Sequence, residues 1–135
     1  MTDSVATGAA QAIARASQWL LSQQSEKGYW WGDLTADTTL ESDYVLLQLW
    51  LYPPSGKEWN PPTRVQVDRA IRSILARQCD DGGFSIYPGG PSDVSASVKA
   101  YFALKLGGVD PSAPEMTRLR ECILSHGGLQ AVNSY

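Results

Sequence analysis

An internal repeat is the feature that most constrains the fold of this chain. Residues 20–30 and residues 74–84 carry the same order of residue types, 54 positions apart. Each copy reads as an apolar helix end, a glutamine, three residues, a glycine, one residue and an aromatic side chain. The motif residues are Gln24, Gly28 and Trp30 in the first copy and Gln78, Gly82 and Phe84 in the second. A repeat of this length indicates that one supersecondary unit recurs along the chain.

Apolar residues at helical spacing flank both motif copies and predict a unit of helix, turn and helix. No stretch alternates as a strand does, so the chain is predicted to be all-α and built from αα-hairpins. Five helices are expected. They run from about Val5 to Gln23, from Thr38 to a stop at Pro53, from a cap at Asn60 to the second motif, from Ser92 or Asp93 to Gly107, and from Pro114 to His126.

The spacing also predicts which face of each helix is buried. The expected buried residues are Val5, Ala9, Ile13, Ala16 and Leu20 in the first helix, Leu40, Tyr44, Leu47 and Leu51 in the second, Val67, Ala70, Ile71, Ile74 and Leu75 in the third, Val94, Val98, Tyr101 and Phe102 in the fourth, and Met116, Leu119, Cys122 and Ile123 in the fifth. At the start of the second helix, Thr38 and Glu41 have the spacing of a capping box.

The residue types of the repeated motif favour a structural role over a catalytic one. A glutamine at a helix end can bond backbone groups that helix geometry leaves unpaired. The glycine permits a left-handed turn, and the aromatic ring can lie across that turn and seal it. If Trp30 seals the first turn in this way, Trp30→Ala should cost about 3 kcal/mol or more.

Composition and charge exclude several classes of function. The chain has 135 residues, an apolar fraction of 43% and a net charge of −3. It contains no basic block, which argues against a nucleic-acid partner. Its longest apolar run, residues 44–52, is too short to span a bilayer. The N-terminus lacks the features of a signal peptide, so a cytoplasmic location is expected.

The cysteines and the single histidine give no metal-like pattern in the sequence. Cys79 and Cys122 are interpreted as free thiols, because their spacing to each other and to His126 does not resemble that of a metal site. His126 precedes a Gly-Gly turn, where the helix dipole favours a histidine. No metal, cofactor or catalytic residue is predicted in this chain.

The repeat is incomplete at its third copy. A third unit begins at the fifth helix and has no second helix. Because stacked hairpins bury a core only against their neighbours, we expect residues 1–135 to form one incomplete region. The chain is therefore expected to be the front part of something longer, or to depend on a partner, and its open end favours self-association.

Four ordered blocks carry a resemblance to a known family. They are Gly28–Gly32, Leu40–Leu47, Tyr87–Asp93 and Val98–Lys105, at consistent spacing along nearly all of the chain. Together with the two motif copies, which resemble the QW motif of triterpene cyclases, they are similar to the N-terminal part of bacterial squalene–hopene cyclases. By this resemblance, residues 1–36 hold an N-terminal helix and the first QW turn, and residues 37–135 begin an α-α barrel domain.

The resemblance implies an enzyme of hopanoid biosynthesis, an isomerase that needs no cofactor. Members fold into two α-α barrels around an apolar cavity and attach to one leaflet of a membrane. A carboxylic acid protonates squalene, and the carbocation then passes along aromatic faces to give hopene or hopanol. The acid belongs to an Asp-x-Asp-Asp motif, which this chain lacks, as it lacks the membrane-entry segment. The chain alone is therefore expected to be inactive.

One residue is carried over from the family as a candidate for the substrate cavity. Glu41 matches a glutamate in the polar region where cyclisation ends, although the capping box with Thr38 is an alternative role. Some relatives carry a second glutamate where this chain has Lys99, so no carboxylate pair is predicted, and Lys99 can equally lie on a solvated helix face. Two other functions stay open: a free-standing αα-repeat module that binds an apolar ligand or a protein, and a cyclase of a shorter isoprenoid.

Overall fold

The computed structural model describes residues 2–32, 36–56 and 59–133. The chain divides into two compact units, Met1–Leu34 and Thr35–Tyr135. The described residues contain no strand, and the prediction of an all-α chain built from αα-hairpins is confirmed. The five helices are α1 (Thr2–Ser22), α2 (Thr39–Leu51), α3 (Arg64–Leu75), α4 (Val94–Leu106) and α5 (Pro114–Ser125), and a short 3-10 helix follows at Gly128–Ala131.

The first unit consists of α1 and the turn that carries the first motif. The stripe predicted to be buried on α1 is exposed, including Val5, Ile13 and Leu20, so that prediction is wrong. A single helix followed by a turn has no second helix within its unit to cover an apolar stripe. Within the described ranges, no helix has the length and apolar character needed to cross a membrane.

The second unit packs α2 against α3 and α4, and α5 against α4. On α3 and α5 the predicted faces are confirmed for all but Leu75, which is half-buried. One core joins the four helices and the second motif turn. Its buried members are Val45, Val67, Ala70, Ile71, Ile74, Phe84, Ala96, Ala100, Ala103, Leu104, Met116, Leu119 and Ile123.

The predicted face of α2 is wrong except at Tyr44, which is half-buried against the core. The helix buries Ser42, Val45 and Gln48, whereas Leu40 and Leu47 are exposed. The Ser42 hydroxyl donates to the Thr38 carbonyl at 2.7 Å, which satisfies its polar group within the helix. Because α2 is apolar on nearly every side, spacing alone cannot tell which side meets the core.

The predicted face of α4 is right only in part. Val94, Val98 and Tyr101 are half-buried and pack against the core, whereas Phe102, also predicted to be buried, is 52% exposed. The fully or nearly buried residues of α4 are mostly small. Small side chains at a helix contact let the two backbones approach closely, which explains why the larger residues lie at the edges. The buried residues of α4 are Ala96, Ser97, Ala100, Ala103 and Leu104.

Two predicted helix caps need correction, although α2 begins next to Thr38 as expected. No side chain caps α2 from Thr38, and the buried Thr38 hydroxyl has no hydrogen-bond partner among the described residues. The carboxylate of Asp37 accepts from the Thr39 amide instead, at 2.9 Å. The third helix begins at Arg64, whose amide donates to the carbonyl of Pro61 at 3.0 Å, so the two prolines precede the helix. Asn60 therefore does not cap it.

The fourth helix begins as predicted. The side chain of Asp93 accepts a hydrogen bond from the Ala96 amide at 2.8 Å, which is an N-cap contact. The helix ends at Leu106 with Gly107 as its C-cap, and Gly108 follows with a positive φ of 101°.

Two leucines on α5 give a direct test of the core. Leu119 is fully buried and Leu124 is 61% exposed. We expect Leu119→Ala to lower the free energy of unfolding by about 2–5 kcal/mol, because it leaves a cavity in the core. Leu124→Ala serves as the matched control and should change stability by less than about 0.5 kcal/mol. Denaturant unfolding measures both, and equal losses would contradict this assignment of the core.

Candidate functional site

The second motif turn is held by the side chain of Gln78. Its amide nitrogen donates to the carbonyl of Gly82 at 2.8 Å and to the carbonyl of Glu115, at the start of α5, at 2.9 Å. Its amide oxygen accepts from Arg118 at 3.1 Å. The glutamine thus closes its own turn and ties that turn to the next helix.

The first motif turn repeats the local geometry. The amide nitrogen of Gln24 donates to the carbonyl of Gly28 at 2.7 Å. The Ser25 amide donates to the carbonyl of Tyr29 at 2.9 Å, and the equivalent bond in the second turn runs from Cys79 to Gly83, also at 2.9 Å. The motif glycines have φ angles of 85° and 89°. Glycine is favoured there because a Cβ is strained at such angles.

The two turns differ in what packs against them. A Cβ placed on Gly82 would lie 2.7 Å from the backbone carbonyl of Arg118, whereas one placed on Gly28 would meet no atom within 4 Å. Phe84 is fully buried, and its amide donates to the Ser97 hydroxyl at 2.9 Å. The second turn is therefore closed against α4 and α5.

The ring of Trp30 does not seal its turn as Phe84 does. It is 49% exposed, and its indole nitrogen donates to the carbonyl of Leu20 at the end of α1. Because a half-exposed ring loses less burial on truncation, the cost of Trp30→Ala should fall below the 3 kcal/mol expected from full burial.

Glu41 lies in a polar cluster between α2 and α3. Its carboxylate accepts from the Ser73 hydroxyl at 3.1 Å and forms an ion pair with Arg77. Arg77 also donates to the backbone carbonyls of Ala36 and Asp37, at 3.1 and 3.0 Å. The guanidinium therefore holds residues 36–37, which lead into α2, in place. Glu41 is a partly exposed, paired carboxylate and takes no part in a cap.

Lys99 has a partner across the helix pair α2 and α4. Its ammonium lies 3.1 Å from the carboxylate of Asp43, and both side chains are about one-third to one-half exposed. An exposed pair of this kind contributes little to stability. Lys99 thus lies on a partly solvated face of α4 and is paired there with Asp43.

The structure brings together three side chains that the sequence interpretation kept apart. Ligand atoms of Asp81, Cys122 and His126 all lie within 4.8 Å of one another. Asp81 lies in the second motif turn, between Gln78 and Gly82, and the other two residues lie at the end of α5. The signal for this cluster was the spacing of Cys122 and His126, since residues four apart share one helix face.

The cluster is polar and partly screened from solvent. The carboxylate of Asp81 accepts from the Ser92 hydroxyl at 2.6 Å and from the Gly83 amide at 3.0 Å, and these bonds lower the pKa of Asp81. Burial raises the pKa of the Cys122 thiol, and the negative charge of Asp81 raises it further.

The two motif glycines form a matched pair for mutation. Gly28→Ala and Gly82→Ala introduce the same strain at positive φ, about 1–2 kcal/mol. Only the second change also drives a methyl group into the backbone of Arg118, so we expect it to cost clearly more. The free energy of unfolding and hydrogen exchange in the first turn of α5 measure the difference. A cost for Gly82→Ala no larger than for Gly28→Ala would contradict the close contact.

The two carboxylates of α2 form a second matched pair. Glu41→Gln removes the negative charge that pairs with Arg77, and we expect it to lower the free energy of unfolding by about 1 kcal/mol. The expected loss is smaller than for a buried charged hydrogen bond because the pair is partly exposed to solvent. Asp43→Asn removes an exposed pair and should cost less than about 0.5 kcal/mol. Denaturant unfolding separates the two, and the reverse order of costs would show that the Glu41 cluster is not structural.

Comparison with known proteins identifies the family. The profile of the squalene-hopene cyclase N-terminal domain matches residues 13–135. The squalene–hopene cyclase of Zymomonas mobilis is 40% identical over 123 residues, which cover 91% of this chain and 18% of that protein. The squalene–hopene cyclase of Alicyclobacillus acidocaldarius is 35% identical over 122 residues, covering 90% of this chain and 18% of that protein.

A third relative is a synthase with a different name. The dammaradiene synthase of Dryopteris crassirhizoma is 32% identical over 119 residues, covering 88% of this chain and 16% of that enzyme. The chain thus spans less than one-fifth of the length of each of these three relatives. The match over residues 13–135, on an all-α fold with two equivalent motif turns, shows that this chain belongs to the squalene–hopene cyclase N-terminal domain family.

Proposed function

We propose that this chain forms the N-terminal part of an enzyme that cyclises squalene, or a similar isoprenoid, to hopene or hopanol. The recurrence of one turn geometry at both motif copies supports this role most strongly. A turn that binds the next helix through Gln78 and Gly82 builds a stack of hairpins. Such a stack is the scaffold that a barrel around an apolar cavity requires.

The proposed contribution of the chain is structural rather than catalytic. It has no Asp-x-Asp-Asp motif, and Asp80-Asp81 lies in the second motif turn. The proton donor would therefore come from a further part of a longer protein. That part would also supply the contact with one membrane leaflet.

The exposed apolar face of α2 supports a role within a larger assembly. Leu40, Leu47, Trp50 and Leu51 are each about half to three-quarters exposed. Several large apolar side chains exposed on one helix usually mark a surface that another element covers. In the proposed enzyme, other segments of the cyclase cover it.

Glu41 is proposed to lie at the polar edge of the substrate cavity. Its carboxylate is fixed by Ser73 and Arg77, so a substrate or a water molecule would meet a positioned negative group. A positioned charge can stabilise a nearby carbocation or orient the water that ends the cascade.

A chimeric enzyme tests the proposed function. Residues 13–135 would replace the equivalent segment of the Zymomonas mobilis cyclase, and squalene conversion would be followed by gas chromatography. We expect hopene from the chimera, and no hopene from residues 1–135 alone, because the proton donor is absent. A chimera that folds and lacks activity, or hopene from the chain alone, would contradict the proposal. The Glu41→Gln chimera tests the cavity role, with Asp43→Asn as the exposed control.

A second candidate rests on an apolar groove between α4, α5 and the 3-10 helix. The groove has a volume of about 460 Å³, and its walls include the exposed side chains of Phe102, Leu124 and Leu129. A free-standing module could bind an apolar ligand or a second copy of the chain there. Saturable binding of squalene that Leu124→Asp abolishes, in a chain whose chimera is inactive, would favour this candidate over the cyclase.

A further inference from the structure

The end of α5 and the second motif turn together present three different metal-binding side chains. Asp81 comes from the turn, Cys122 from the last turn of α5 and His126 from the C-cap of that helix. No role in the proposed cyclisation involves this cluster. We propose that Asp81, Cys122 and His126 bind one divalent cation of the zinc type, which cross-links the turn to the end of α5.

The distances within the cluster suit tetrahedral coordination. The thiol sulfur of Cys122 lies 3.6 Å from Nδ1 of His126. Two ligands of one tetrahedral zinc ion, at bond lengths of about 2.3 Å to sulfur and about 2.0 Å to nitrogen, lie about 3.5 Å apart. The carboxylate of Asp81 lies within 4.8 Å of the other two ligand atoms and has to move closer to them to share one cation. Asp81 is exposed at the surface of the turn, which allows this movement.

The surroundings of the cluster hold the ligands in place. Asp81 accepts from the Ser92 hydroxyl and the Gly83 amide through the same oxygen, Oδ1, which leaves its second oxygen for a cation. A Cβ on Gly83 would lie 2.7 Å from the Cys122 sulfur, so only glycine lets the turn approach the thiol this closely. Outer contacts that orient ligands are a regular feature of metal sites.

The imidazole of His126 would change partners on binding. Its Nδ1 lies 2.9 Å from the carbonyl of Cys122 and can donate to it. A cation at Nδ1 replaces that hydrogen bond with a coordination bond. His126 is exposed at the end of α5, so its ring can make this change without disturbing the core.

The donor types select the class of metal. One thiolate, one imidazole and one carboxylate suit zinc and its borderline neighbours. Magnesium and calcium require oxygen ligands and are disfavoured. Three protein ligands leave a fourth position open to water.

Cobalt(II) is a suitable probe because it adopts the same tetrahedral geometry and is coloured. We expect one equivalent of Co²⁺ to give a thiolate charge-transfer band and intense visible bands with residues 1–135 after chelator treatment. Zinc should displace it, since zinc binds such sites more tightly than cobalt. Absence of the charge-transfer band at one equivalent would overturn the proposal.

Variants assign the ligands. Cys122→Ser should abolish the charge-transfer band, and Asp81→Asn and His126→Gln should each weaken binding at least about tenfold. Cys79→Ser and Asp80→Asn are the matched controls and should bind as the wild type does. Asp81 and His126 are exposed, so these two variants are expected to fold even if Cys122→Ser does not, and circular dichroism checks each.

A stability measurement gives an independent readout. Zinc should raise the melting temperature of the wild type and of Asp80→Asn, because a ligand that binds the folded state stabilises it. It should not raise the melting temperature of His126→Gln. Equal zinc effects in all variants, or loss of binding in Cys79→Ser alone, would show that the cluster is not the site.

Discussion

The side-chain amide of Gln78 closes the second motif turn and joins it to α5 through three hydrogen bonds. It bonds the carbonyl of Gly82 in its own turn, the carbonyl of Glu115 at the start of α5, and the guanidinium of Arg118. The two bonds to α5 can form only because Gly82 has no side chain, which lets the turn come into van der Waals contact with the α5 backbone. Phe84 can then be fully buried between the helices, and the core extends from α2 to α5.

The same dependence explains why one motif produces two different environments. The turn at Gln24 forms its own hydrogen bond to Gly28, as the backbone and the glutamine side chain dictate locally. Its tryptophan stays half-exposed, whereas the phenylalanine of the second turn is buried beneath a neighbouring helix. The motif therefore specifies the local turn, and contact with the next helix makes that turn a junction, that is, a turn bonded to a neighbouring hairpin. The proposed function requires a stack of hairpins that such junctions can join.

Local patterns predicted the features that depend on local forces. The five helices, the Asp93 cap and the buried faces of α3 and α5 follow from spacing and capping chemistry. The face of α2 could not be predicted, because its leucines surround the helix and its buried face includes Ser42 and Gln48. The pairing of Glu41 with Arg77 and the cluster around Cys122 depend on how distant helices meet. Of these, only the spacing of Cys122 and His126 carried a local signal.

Native-state hydrogen exchange compares the two turns within one molecule. The amides of Ser25 and Cys79 are equivalent, since each donates across its turn at 2.9 Å. We expect the Cys79 amide to exchange only when the core around α5 opens, so its free energy of opening should equal that of the core. The Ser25 amide should exchange through a local opening of much lower free energy. Equal protection of the two amides, or local opening at Cys79 while α5 stays protected, would contradict the claim that α5 locks the second turn.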